Sequence, residues 1–275
     1  SLNGSPKSLS TNSKLTTSQG DASINGDFAS LKDISFHTNL RLTDYNMGTL
    51  LENPRLGRLT MTVKSSGTGN TINTLDADLD AHISSFKLNN YTIEDLHLEA
   101  DLTNGTGNMT SNYKDDNLNV ELDGLVVLDS IAPEVTAEIN IIGADLEALG
   151  VMQRDVKTGM DIFLNFKGNT KTFNASAIVK DGVVVYDNQS YLLGHLDAKG
   201  YVSSDSTSVH VRNKMVDINL KSNANPQTFS TSIRRHILSY FYRDERVPDT
   251  ISNPVNLELE GKISQSPLLN KVFLI

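Results

Sequence analysis

The chain has 275 residues and a formal net charge of −9, with 38% hydrophobic residues, 6% aromatic residues and no tryptophan. The acidic balance argues against nucleic-acid binding, because contacts to phosphates need a basic surface. The absence of cysteine excludes disulfides, thiol catalysis and cysteine-bound metal. No stretch of the sequence reaches the roughly 20 apolar residues of a membrane-spanning helix, and no signal peptide is visible.

Apolar and polar residues alternate along most of the chain, which is typical of β-strands with one buried face. The alternating runs lie at 34–42, 59–63, 75–83, 96–102, 118–122, 135–141, 160–166, 196–202 and 255–259. Residues 103–105 and 180–182 combine Asn or Asp with Gly and predict hairpin turns. We therefore predict about a dozen strands.

Two segments of the sequence are predicted to be helical. Residues 144–149, stopped by Gly150, fit a short helix, and residues 225–243 fit a longer one. Asn225 is a suitable N-cap, and Pro226 suits the first helical position. Because so few helices cannot cover a dozen strands, the apolar faces must cover each other or be covered by a ligand.

Similar runs recur at a spacing of roughly 100 residues. Tyr91 and Leu96, for example, correspond to Tyr191 and Leu196. We divide the chain into a polar N-terminal segment (1–20), a first repeat (21–124), a second repeat (125–222) and a third unit that begins with the long helix (223–275). Since the chain opens on Ser1 and ends on apolar, strand-like residues, we expect it to be part of a longer protein.

The predicted fold is mostly β, an elongated and bent sheet whose apolar side chains form a groove, with one or two short helices. Repeats favour this elongated form, because each unit contacts mainly its neighbours. The residues predicted to line the groove are Leu40, Leu42, Leu59, Met61, Val63, Leu79, Leu96, Leu98, Leu102, Val120, Ile139, Ile141, Ile162, Leu164, Phe166, Leu196, Ile218, Leu257 and Leu259.

No motif for catalysis, phosphate binding or dinucleotide binding is found in the sequence. His37, His82 and His97 alternate with apolar residues and should point away from the groove, and no His-x-His pair offers two metal ligands on one strand. The aspartates at 76, 78 and 80 fit a solvated strand face better than a calcium site. We predict no enzyme activity, no cofactor and no metal site.

Three segments carry a family resemblance. They are residues 135–149 (VTAEINIIGADLEAL), 160–168 (MDIFLNFKG) and 91–102 (YTIEDLHLEADL). Phrases of this kind resemble the AsmA-like superfamily, in particular the TamB-type translocation and assembly modules of bacteria, and the composition is similar to their Bacteroidetes branch. The resemblance covers residues 24–263.

The resemblance implies a taco-shaped sheet (a β-taco) in the periplasm, within a protein that an N-terminal helix anchors in the inner membrane. It implies phospholipid transport along the groove towards the outer membrane, and a barrel of the Omp85 family and neighbouring repeats as partners. The alternatives are a scaffold for outer-membrane protein assembly and a structural or adhesive repeat protein with a closed, dry core. The helix at 225–243 departs from the family pattern, and it would plug the groove, cap it or lie outside it.

Overall fold

The structure is a computed structural model that describes residues 2–5, 7–30, 34–51, 53–89, 91–169, 171–241 and 254–273. Over these residues the chain forms one sheet of sixteen strands. The strands are β1 (Leu2–Ser5), β2 (Ser8–Thr17), β3 (Gly20–Ser30), β4 (Ile34–Asn46), β5 (Leu56–Thr68), β6 (Asp76–Leu88), β7 (Tyr91–Thr103), β8 (Thr106–Lys114), β9 (Leu118–Val127), β10 (Glu134–Asp145), β11 (Val156–Gly168), β12 (Phe173–Tyr186), β13 (Gln189–Val202), β14 (Thr207–Asn213), β15 (Val216–Ser222) and β16 (Leu257–Ile263).

Each strand pairs antiparallel with the next one in the chain, so the order in space is the order in sequence. Strands account for 68% of the residues, and the sheet does not close on itself. The elongated all-β architecture predicted from the sequence is confirmed. The count of about a dozen strands is wrong, because β2 and β8 consist largely of Ser, Thr and Asn and show little apolar alternation.

Residues 103–105 form the hairpin turn that the sequence predicts, with Asn104 and Gly105 both at positive φ. The hairpin predicted at 180–182 is wrong, because these residues lie within β12 at a break in its register with β13. Asp181 has a φ of 50° there, which makes it part of a β-bulge. The true turn is Asp187–Asn188, where positive φ at both residues fits a two-residue hairpin.

Helices are short in the described part of the chain. The first, α1, spans Met47–Leu50, and the second, α2, spans Pro226–Phe241. The Asn225 side chain accepts the Thr228 N–H at 2.9 Å, as predicted for its N-cap. Residues 242 and 243 of the predicted helix lie outside the described residues. No helix in the described ranges has both the length and the apolar character that crossing a membrane requires.

The short helix predicted at 144–149 is wrong, since Ala144 and Asp145 are the last residues of β10 and residues 146–149 make only one turn after it. The backbone hydrogen bond with the spacing of an α-helix joins the Leu149 N–H to the Asp145 carbonyl at 3.0 Å. The Asp145 carboxylate accepts the N–H groups of Glu147 and Ala148, and Gly150 ends the turn at a φ of 66°.

The structure contains a repeat of six strands. β4–β9 and β10–β15 correspond one to one, and equivalent strands such as β5 and β11 begin about 100 residues apart. The bulge of β4 between Leu42 and Tyr45 recurs in β10 between Ile141 and Ala144. The domain boundaries drawn at 124 and 222 stay predictions.

The most deeply buried apolar side chains lie at one end of the strands, which we call the covered end; Tyr91, Val156, Tyr186 and Val216 mark it. A π-helical turn at Leu269–Phe273 returns to this end. There Leu268, Leu269 and Val272 pack against Val156 and Val184. A second cluster joins Tyr91, Ala144 and Leu149. The opposite end of the strands is the far end, where α2 begins after β15.

Candidate functional site

One row of residues crosses the eleven strands from β3 to β13, each member directly opposite the next. We call it the central row: Ile24, Leu40, Val63, Ala81, Leu98, Ser111, Leu122, Ile139, Ile162, Val179 and Leu196. Residues opposite each other in antiparallel strands share a face of the sheet, so the row is an apolar stripe broken only by Ser111. At about 4.8 Å per strand, its ten steps extend about 48 Å along the sheet.

Further rows flank the central row on the same face, and together they form what we call the apolar face. The row nearer the covered end contains Ala22, Leu42, Met61, Ile83, Leu96, Val120, Ile141 and Met160. The first row on the side of the far end contains Leu79, Ala100, Met109, Gly124, Ala137, Leu164, Ala177, Ala198, Val211 and Ile218. The second row on that side contains Ala77, Leu102, Gly107, Val126, Val135, Phe166, Ala175, Gly200, Val209, Leu220 and Leu259. Alanine and glycine are frequent in these last two rows, so the side-chain layer is thin there.

At the covered end, Leu146 and Leu149 and the turn at 268–272 pack on the sheet, but no second layer of the described chain covers the apolar face along the central row. The chain has an accessible surface of 18177 Å², whereas a compact monomer of its mass has about 11,700 Å². In the central row only Ala81 and Val179 are buried. A Cβ atom placed on Gly200 or Gly261, both on this face, would meet no atom within 4 Å.

The apolar face is most exposed near the two edges of the sheet. On β2 and β3 the exposed apolar residues are Leu9, Leu15 and Ile24, and on β16 they are Leu257, Leu259 and Ile263. Leu259 keeps 63% of its surface accessible. On β2 the polar residues Thr11 and Ser13 share this face with Leu9 and Leu15, whereas on β16 the face is apolar up to the edge, as a surface that continues onto another molecule or repeat would be.

A polar cluster interrupts the apolar face at the covered end. The hydroxyl groups of Tyr91 and Tyr113 both donate a hydrogen bond to the same carboxylate oxygen of Asp115. The bond from Tyr113 has a length of 2.7 Å. Burial, reinforced by the bond to Asp115, raises the pKa of both tyrosines. Burial opposes ionisation of Asp115, but the hydrogen bonds from both hydroxyls outweigh it and lower its pKa.

The opposite face of the sheet is polar and rich in carboxylates. Asp80 lies between Lys64 and Glu99, and Asp78 faces Asp101. These five residues line a concavity of 740 Å³ over β3–β8. The sheet therefore has two faces of opposite chemistry, one aliphatic and one acidic, as the alternation in the sequence predicts.

Three residues of the polar face converge on β6 and β7. His82 faces His97 across the two strands, and their rings stack with centroids 4.3 Å apart and an angle of 8° between the ring planes. Asp95 accepts a hydrogen bond from His82 at 2.7 Å, which lowers the pKa of its carboxyl group. Both histidines point away from the apolar face, as predicted. A His-x-His search along one strand does not find this cross-strand pair, because only the register of β6 with β7 brings the two rings together.

Every residue predicted to line the groove lies on the apolar face. Most are partly exposed, Leu59 is buried, and Leu164, Leu257 and Leu259 are exposed. The prediction left out Val179, a buried member of the central row. The signal for it was weak, because its neighbours on the same face of β12 are Ala175 and Ala177.

No protein-family model matches the chain, and no curated protein or solved structure matches it significantly.

Proposed function

We propose that the chain is a non-enzymatic periplasmic segment of a bridge protein of the TamB and AsmA-like type. In this proposal the apolar face binds the acyl chains of phospholipids and conducts them between the inner and outer membranes. The observation that carries the proposal is the central row, which aligns aliphatic side chains across eleven strands and is not covered by a second layer of the described chain.

The energetics favour an acyl chain as the ligand. Each buried methylene contributes about 0.8 kcal/mol, so about sixteen methylenes give on the order of 13 kcal/mol before the costs of binding. An ion pair at the surface contributes only about 0–1 kcal/mol. The aliphatic rows must therefore supply most of the affinity. Because these rows contain few polar groups, a lipid is able to move from strand to strand at similar free energy.

The polar face and the two edges support an extended assembly in water. Carboxylates such as Asp78, Asp80 and Glu99 solvate the side of the sheet that carries no ligand in this proposal. β1 and β16 are the first and last strands of the sheet, and an edge strand is a site for pairing with a further strand. Neighbouring repeats of a longer chain are the partners that we propose at these edges, with an Omp85-family barrel at the outer membrane.

Site-specific photo-crosslinking in cells that produce the parent protein tests the proposal. A photoreactive amino acid at Leu98 or Ile162 is expected to yield phospholipid adducts that mass spectrometry identifies. The matched control is His97, which is adjacent to Leu98 and lies on the polar face. Absence of adducts at both apolar positions, or equal adducts at His97, contradicts lipid binding by the apolar face.

A second candidate is a scaffold that assists the assembly of outer-membrane proteins. It is favoured by β16, all of whose residues are exposed, because an incoming strand pairs readily with an exposed edge. In this case the photoreactive residues trap barrel proteins instead of lipid. A structural or adhesive protein with a closed, dry core is disfavoured, because the apolar face is open over the described residues.

A further inference from the structure

The polar face contains a group of side chains that the lipid-binding proposal does not use. His82, Asp95 and His97 lie together on β6 and β7, and their candidate ligand atoms are all within 4.8 Å of one another. The Nε2 atoms of His82 and His97 lie 2.7 Å and 3.4 Å from the same oxygen, Oδ1 of Asp95. Two imidazole nitrogens and one carboxylate oxygen therefore converge on a single point.

Asp95 lies at an irregularity in the backbone of β7. Asp95 has a φ of 61°, which few residues other than glycine adopt, although aspartate tolerates it better than most. The regular pairing of β6 with β7 skips this residue, because Leu96 pairs with Ile83 and Glu94 with Ser85. The register is the same on both sides of Asp95, and because Asp95 precedes His97 by two residues, strand alternation places its carboxylate on the face that carries the two histidines.

The chemistry and the spacing fit a transition-metal ion. Zinc binds imidazole nitrogen and carboxylate oxygen at about 2.0–2.2 Å with tetrahedral geometry, which places ligand atoms about 3.4 Å apart. The distance from His97 to Asp95 already has this value, and the distance from His82 to Asp95 must open by about 0.7 Å. The stacked rings must also tilt towards each other. Asp95 and His97 are exposed and His82 is partly exposed, so small side-chain rotations suffice.

We propose that His82, Asp95 and His97 bind one divalent transition-metal ion, with Zn²⁺ as the best match, and that water completes the coordination. Imidazole and carboxylate together select such ions over Ca²⁺ and Mg²⁺, which prefer sites made only of oxygen. The bound ion joins β6 to β7 and stabilises the folded chain by mass action.

The second repeat provides an internal comparison. In the first repeat, His82 and His97 are adjacent in sequence to the central-row residues Ala81 and Leu98. In the second repeat, the corresponding neighbours of Val179 and Leu196 are Lys180 and His195. The positive φ in β13 belongs to Gly194, which has no ligand atom. His195 has one carboxylate partner, Asp197 at 2.9 Å. The equivalent positions therefore lack the complete set of three ligands.

Calorimetric titration of the purified 275-residue chain with ZnCl₂ tests the site, and His195→Ala is the matched control. We expect one ion per chain for the wild type and for the control. Loss of a hydrogen bond to a ligand already weakens metal binding by about 10- to 100-fold, so loss of both imidazoles in His82→Ala/His97→Ala should weaken it at least that much. Titration with CoCl₂ should give visible absorption bands of nitrogen-ligated Co²⁺ that the double variant lacks.

Three results overturn the proposal: no Zn²⁺ uptake by the wild type, undiminished affinity in the double variant, or an equal loss of affinity in His195→Ala. Circular dichroism of each variant establishes that the sheet is intact, as we expect for substitutions at exposed positions. A second readout is the melting temperature, which Zn²⁺ should raise in the wild type but not in the double variant. None of these results depends on whether the apolar face binds lipid.

Discussion

Ile139 and Ile162 face each other across β10 and β11, in the second half of the central row. Both side chains are partly exposed, although two opposed isoleucines in the middle of a sheet usually belong to a sealed core. An acyl chain that follows the central row has to pass over this pair. A charge at this point therefore interrupts the row in the middle of the second repeat.

Ile162→Asp should weaken lipid binding along this part of the row. An unpaired carboxylate under an acyl chain costs several kcal/mol, and about 1.4 kcal/mol corresponds to a tenfold change. We therefore expect the affinity for a fluorescent phospholipid to fall at least about tenfold. The control Leu125→Asp places the same charge at an exposed apolar position on the polar face and should leave affinity unchanged. Equal affinity of Ile162→Asp and wild type counts against the groove.

Gly200→Trp should obstruct the apolar face without unfolding the sheet. The glycine lies between Ala175 and Val209, and the space above it is empty within 4 Å. An indole ring there occupies the path of an acyl chain, and replacing a strand glycine favours the strand by about 0.5–1 kcal/mol. Lys199→Trp, on the polar face of the same strand, is the control. We expect phospholipid cross-linking to drop only in Gly200→Trp, while urea unfolding shows both proteins folded.

Glu99→Lys should stabilise the chain. Glu99 lies directly opposite Asp80, and like charges in facing positions destabilise a sheet. Reversing one charge should raise the free energy of unfolding by about 0.2–1 kcal/mol at low salt. Glu121 faces Asn112 and Asn140, so Glu121→Lys should give a smaller gain. Urea titrations of both variants at low and high salt measure the difference, and equal gains would show that facing pairs do not matter.

Stability should fall at alkaline pH because of the tyrosine cluster. Burial raises the pKa of Tyr91 in the folded state above its ordinary value of 10.0, so above pH 10 the unfolded chain loses the phenolic proton while the folded chain keeps it. The stabilisation of the fold by the protonated tyrosine is complete below pH 10. Above pH 10 the free energy of unfolding declines by about 1.4 kcal/mol per pH unit for each tyrosine whose pKa is raised in this way. Tyr91→Phe should reduce this slope in chemical unfolding series between pH 9 and 11.

The same cluster has an opposite dependence at acid pH. The pKa of Asp115 is lowered by hydrogen bonds from Tyr91 and Tyr113, against the effect of burial. The ionised Asp115 carboxylate therefore adds to the free energy of unfolding above pH 3.8, and this stabilisation is lost as the pH falls below that value. Asp115→Asn should reduce the dependence of stability on pH in this acidic range. A variant with the wild-type acid slope would show that the carboxylate is not stabilised by the hydroxyl groups.

Leu268→Ala should be costly because residues 266–273 close the covered end. Leu268 is 2% exposed, and removing a buried leucine side chain costs about 2–5 kcal/mol. Leu259→Ala makes the same chemical change at an exposed position on the apolar face and should cost far less. Urea unfolding of both variants checks this. Comparable losses would mean that the terminal turn adds nothing to the stability of the sheet.

The sequence was informative wherever aliphatic residues alternate strictly with polar ones. The run around Leu79 and the run around Ile162 predict both the strand and the side of the sheet that each residue occupies. The pattern fails where small or polar residues replace aliphatic ones, as in β2 and β8, because hydrogen bonds to both neighbouring strands define these strands instead. It also fails at Asp181, because a short Asp-Gly segment fits a hairpin and a bulge equally well.

The candidate metal ligands show a further limit of sequence reasoning. His82 and His97 are brought together by strand register, and Asp95 shares their face because it precedes His97 by two residues in β7. The register between β6 and β7 does not follow from spacing along a single strand. By contrast, the aliphatic residues of the apolar face need only their own alternation to be assigned to one side.

The pairing of every strand with its neighbour in the chain also bears on how the protein folds. Each new strand finds its partner in the segment made just before it, so the loops that must close are short and the entropic cost of each step is small. The sheet is therefore able to form progressively from its N-terminus, with stability adding up between adjacent units as in other repeat proteins. Unfolding should accordingly begin at the edge strands and advance inward, and β1 and β16 should be the first to exchange their amide hydrogens.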